Sequence, residues 1–129
     1  MQVICLKIIK FQVTEQDIEV YASLSGDYNQ IHLSQKYAQQ YGFSDKIAHG
    51  MLTMAKIWSA ISSELSLFQW PDQFDLSFIS PVYAGDQVTI YLQKVGAHMK
   101  LRGTCQHKIV VKGTILLKNQ SARTSSDQF

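Results

Sequence analysis

Patterning along this 129-residue chain implies an α+β domain, with an antiparallel sheet curled around one long buried helix. The helix is the run MLTMAKIWSAISSEL after His49-Gly50. Its apolar residues Met51, Leu52, Met54, Ala55, Ile57, Trp58, Ala60 and Ile61 fall in nearly every direction around a helical wheel, which marks a buried helix rather than a surface one. The sheet announces itself by period-two alternation. Phe74, Leu76 and Phe78 alternate with Asp75 and Ser77, and Val88, Ile90 and Leu92 alternate with Gln87, Thr89 and Tyr91. One buried helix in so small a chain needs a sheet about it.

The remaining elements follow in order. Residues 3–13, rich in Val, Ile and Phe, read as a strand. Thr14 and Asp17 then form a capping-box-like pair, opening a helix whose apolar stripe is Ile18, Tyr21, Ala22 and Leu24 and which Gly26 ends. The polar stretch GDYNQIH comes next. Ser34 caps a short helix carrying Tyr37, Ala38 and Tyr41, closed by Gly42. After the long helix and the 74–78 strand, Pro81 and Gly85-Asp86 mark a turn. Met99 and Leu101 open a further strand, and Val111, Ile115 and Leu117 belong to the last. The domain spans 1–118, and the polar residues 119–129 read as a disordered tail.

Composition narrows the function. Hydrophobic residues make up 46% of the chain, enough to bury a core, and the net charge is only +2 without a clustered basic stretch, so no nucleic-acid footprint is visible. Cys5 and Cys105 lie far apart, with neither a CxxC nor a zinc-type Cys/His spacing. Reduced, buried thiols in a cytoplasmic protein are the expected state. The N-terminal MQVICLKIIK lacks a basic region and a small-residue cleavage site, and reads as no signal peptide. The longest apolar stretch, 51–61, is broken by Lys56 and too short to cross a membrane.

Chemistry concentrates in SGDYNQIH, which holds Asp27, Asn29 and His32. Five residues turn a helix by about 500°, so Asp27 and His32 would point about 140° apart in one. They converge only if the segment is irregular, as Gly26 suggests. A carboxylate and an imidazole that meet can hold a water between them, one taking its proton while the other gives one. The plainer alternative is that Asp and Asn satisfy backbone groups in a turn. A second feature is His49-Gly50 at the helix start. The first amides of a helix lack internal partners and carry the positive end of its dipole, and Gly50 has no side chain to keep a ligand oxygen away. That suits a carbonyl whose oxygen becomes negative during reaction. The alternative is a glycine that lets the helix enter tightly.

Taken together, SGDYNQIH, YGF at 41–43 and IAHGML at 47–52 resemble the signature of the MaoC-like, (R)-specific enoyl-CoA hydratase family, in order and in spacing. The likeness continues through FISPVYAGDQV to about Lys118. It implies a hotdog fold and a hydro-lyase that adds water to a trans-2-enoyl thioester. It implies that Asp27 and His32 activate the water, that Asn29 assists by hydrogen bonding, and that the Gly50 amide polarises the thioester carbonyl. His49 and Trp58 are added as substrate-binding candidates. Trp58 lies about two helical turns beyond Gly50, where an acyl tail running along the helix would meet it. The resemblance implies no cofactor and no metal, an acyl-CoA or acyl carrier protein thioester as partner, and a homodimer with sites near its interface. Two positions depart from the motif. Gln30 stands where the family usually has proline, and Ser34 where it often has Asp or Asn. Competing readings are a non-catalytic acyl-thioester binding protein and a hotdog thioesterase, which the loop matches less well.

Overall fold

The computed structural model describes residues 4–65 and 69–119. Strand β1 (Ile4–Gln12) leads into helix α1 (Glu15–Ser25), the single turn α2 (Gln30–Leu33), the short α3 (Gln35–Gln40) and the long α4 (Gly50–Ser62). Four strands follow: β2 (Gln69–Phe78), β3 (Gln87–Val95), β4 (His98–Cys105) and β5 (Lys108–Asn119). The five form one antiparallel sheet in the order β1-β3-β4-β5-β2. β5 thus extends to Asn119, and the expected tail lies, from residue 120 onward, outside the described residues.

Local signals place the connecting pieces. Thr14 caps α1 by accepting from the Asp17 amide, and the Asp17 carboxylate accepts from the Thr14 amide, which completes a capping box. Gly26 ends α1 at φ +78°, a left-handed turn that a Cβ would strain. Leu24 departs from the expected stripe and is 81% exposed. Six residues beyond Ile18 the helix has turned away from the core, and only Ile18 and Ala22 are buried.

The sheet's inner face packs on α4. Ile57 and Ile61 join Val88, Ile90, Met99, Ile115 and Leu117 in one apolar core. Burial of α4 is one-sided within this chain: Leu52, Thr53, Ile57 and Ile61 are buried, while Met51 is 60% exposed and Ala55 faces outward. The sheet closes tightly at Gly113, where an added Cβ would lie 2.0 Å from the Asp75 carbonyl of neighbouring β2, so only glycine allows that approach.

Residues 87–119 hold Lys94, Lys100, Arg102, Lys108, Lys112 and Lys118 but no carboxylate. On the outer face Arg102 sits directly opposite Lys112, and its guanidinium lies 5.3 Å above the Tyr91 ring. Cys105 is a free, buried thiol, pushed up to about 11 by its burial and by the Asp86 carboxylate, and so unreactive near neutral pH. The side chain of Cys5 lies outside the described part. Among the described residues no helix is long and apolar enough to cross a membrane.

Candidate active site

The polar stretch is irregular only up to Asn29 and then forms the single turn α2. That short bend swings Asp27 and His32 together, with Asp27 Oδ2 3.9 Å from His32 Nε2. The separation is too long for a direct hydrogen bond and within reach of one water bonded to both. The two groups differ in environment. The Asp27 side chain is half exposed and the His32 ring is buried.

His32 is held in one tautomer. Its Nδ1 lies 2.7 Å from the Ile47 carbonyl oxygen, which can only accept, so Nδ1 carries the proton. The Nε2 lone pair is therefore left facing Asp27, ready to take a proton. Burial pushes the ring below the ordinary imidazole value. The bond to Ile47 opposes that, the neighbouring His49 adds to it, and the Asp27 carboxylate opposes it again.

His49 is the N-cap residue of α4 and is 3% exposed. Its ring stacks on His32 with centroids 3.7 Å apart and planes 25° from parallel, while Tyr21 of α1 meets it edge-on at 4.8 Å. Its Nε2–H donates to the Asp27 carbonyl at 3.0 Å. Asp27, His32 and His49 offer three donor atoms within 4.8 Å of one another. Imidazole lone pairs lie in the ring planes, however, and in a near-parallel stack they run side by side rather than converging on one ion. The donor set does not suit a metal unless the rings unstack.

Gly50 is the first residue of α4, and among the described residues a Cβ there would meet only the Phe78 ring, at 3.8 Å. Packing among the described residues leaves room for a side chain, so tight helix entry against them does not account for the glycine. A mostly apolar cavity of about 320 Å3 adjoins it, lined by Phe43, Ile47, Gly50, Phe78 and Ile79 among others. Ile47 belongs to both places, since its carbonyl holds His32.

The other two candidates are turned elsewhere. Asn29 caps α2, its Oδ1 accepting from the Ile31 amide, and its own amide donates to Asp27 Oδ1 at 3.2 Å, so it shapes the loop. Trp58 is half-buried and packs edge-on against Phe74 at 5.8 Å, and it does not line the cavity at Gly50. Gln30 occupies the first position of α2, where proline would also fit, and Ser34 caps α3 through the Tyr37 amide. Sequence reasoning met Phe43 within the YGF motif and Phe78 in a strand but gave neither a part in the site. The alternation groups Phe78 with Phe74 and Leu76 on one face of the strand, and only the docking of α4 brings its ring against Gly50.

The described architecture recurs in known proteins. The R-hydratase PhaJ1 from Pseudomonas aeruginosa, solved in unliganded form, superposes with a TM-score of 0.81 at 30% identity, over 95% of this chain and 84% of that one. This bears out the hotdog arrangement. An (R)-specific enoyl-CoA hydratase from Rhodospirillum rubrum is 33% identical over 112 residues, covering 78% of this chain and 76% of the relative. A mitochondrial 3-hydroxyacyl-[acyl-carrier-protein] dehydratase from Arabidopsis thaliana is 32% identical over 108 residues, 84% of this chain and 62% of that protein's length. The profile of the MaoC like domain matches residues 6–119, and with that span the chain belongs to the MaoC-like domain family of dehydratases and hydratases.

Proposed function

We propose that this protein reversibly adds water to a trans-2-enoyl thioester to give the (R)-3-hydroxyacyl thioester. The observation that carries the reading is the meeting of Asp27 with His32, whose free nitrogen faces the carboxylate because Ile47 holds the other one. A water bonded to both is aligned and deprotonated as its oxygen bonds to C3, and the proton returns to C2 from the same pair, so H and OH add in balance. The Gly50 amide at the positive end of α4 receives the thioester oxygen as negative charge builds on it. The names of the two relatives, one a hydratase and one a dehydratase, describe the two directions of this reaction.

Absorbance of crotonyl-CoA with purified protein tests the reading. Loss of the enoyl band without free thiol is expected. Release of thiol would mean thioester hydrolysis, and no change with tight binding would mean a binding protein. The reading includes a homodimer. Among the described residues the outer sides of both edge strands, β1 and β2, have no partner strand, and Met51, Phe78 and Ile79 expose apolar surface beside the Gly50 cavity. Light scattering at micromolar concentration is expected to give twice the chain mass, and a monomer would reject this part.

A further inference from the structure

His49 is the buried side chain at this site that the proposed chemistry leaves without a task. It touches every part of the apparatus. Its Nε2–H bonds the Asp27 carbonyl at 3.0 Å, its face backs the His32 ring at 3.7 Å, and its backbone passes directly into Gly50. Its Nδ1 is buried and has no hydrogen-bond partner among the described residues. A buried polar atom left unpaired carries a desolvation cost, so an apolar ring would serve packing better. Asp27 needs such help. Its side chain is half exposed, and the loop around it is secured by short-range contacts such as those to Ser25 and Asn29.

We propose that His49 is a positioning residue, whose hydrogen bond to the Asp27 carbonyl anchors the Asp27 loop to the N-terminus of α4 and so sets the spacing between Asp27 and His32. The consequence for turnover rests on the hydration reading, while the anchoring itself does not. In the mechanism His49 touches neither water nor substrate. It fixes the distance across which one water is shared, and misplacement of reacting groups by a fraction of an ångström is costly.

Two substitutions separate this role from packing. His49→Gln places an amide N–H where Nε2–H stands but removes the ring. His49→Phe keeps the ring and removes the donor. Anchoring predicts that kcat falls at least tenfold in His49→Phe, with KM within about threefold of wild type, and that His49→Gln recovers most of it. A packing role predicts the reverse order, so a Phe variant as active as the Gln variant or better overturns the proposal. Hydrogen exchange of the amides at 27–29 supplies a readout independent of activity: exchange near wild type in His49→Gln and faster in His49→Phe is expected. Equal protection in both variants overturns the proposal even if the wild type hydrates no enoyl thioester, an outcome that would by itself count only against the hydration reading. Should His49→Phe fail to fold, His49→Met removes the donor while filling the space with a flexible side chain, and the same comparison applies.

Discussion

The two ends of α4 are built on opposite terms. Toward its C-terminal half, Ile57 and Ile61 meet Ile90, Met99 and Ile115, and the contact is wholly apolar. At its N-terminal end the buried side chains include two stacked imidazoles, one with a nitrogen that finds no partner among the described residues, next to a half-exposed carboxylate. The first arrangement holds the domain together. On the hydration reading proposed above, the second gives up stability for alignment, which is how a site differs from a core made from the same helix.

That contrast breaks most sharply under substitution. Asp27→Asn and His32→Ala are each expected to lower kcat on an enoyl thioester by about 10²- to 10⁴-fold while the fold survives. Turnover like wild type in either would remove that pair from the chemistry, and loss of folded protein would make the N-terminal end a core after all.

Trp58→Ala probes the other end. Removing a ring packed on Phe74 is expected to cost about 3 to 5 kcal/mol in denaturant unfolding. The ratio of kcat/KM for an eight-carbon over a four-carbon substrate is expected to stay unchanged, because Phe78 rather than Trp58 lines the cavity at Gly50. A rise in that ratio would give Trp58 the chain-limiting role its position along the helix suggested, and would blur the division between the two ends.

The smallest effect is pH-dependent. Burial holds His32 below the ordinary imidazole value of 6.5, so in the window just beneath 6.5 the unfolded chain binds a proton that the folded chain does not. Stability contributed at this position is therefore present above 6.5 and declines as pH falls through that window. Comparing denaturant midpoints at pH 5.5 and 7.5 should give a smaller difference in His32→Gln than in wild type. An equal difference would mean that His32 does not carry the effect.

How legible these two ends were follows from the range of the interactions. Caps and alternation act over a few residues, so Thr14 with Asp17, Gly26, Ser34 and the strand faces could be read directly. Asp27, His32 and Gly50 were legible as a pattern, though not the bend that joins the first two, which depends on α2 starting at Gln30. Asn29 shows why a motif residue need not face the chemistry, since its side chain is occupied by the Ile31 amide. The stack of His49 on His32 joins residues 17 positions apart through the docking of three helices, and no local period encodes it. Leu24 and Met51 misled for the opposite reason: apolar identity suggested burial, whereas their angular position on the helix decided exposure.

The cationic outer face of the sheet bears on the medium in which the protein is handled. Arg102 and Lys112 face one another across paired strands, with Lys100 nearby and no carboxylate in 87–119, the exposed Asp75 of neighbouring β2 standing diagonal to Lys112. Dissolved anions supply what the sequence withholds. At about 0.01 M ionic strength the screening length is about 30 Å, and salt does little to damp the repulsion; near 0.15 M it is about 8 Å, and an ion cloud settles over the strands. For this face dilute buffer is the harsher solvent and ordinary saline the gentler one, the reverse of what holds for an exposed ion pair such as Lys7 with Glu64.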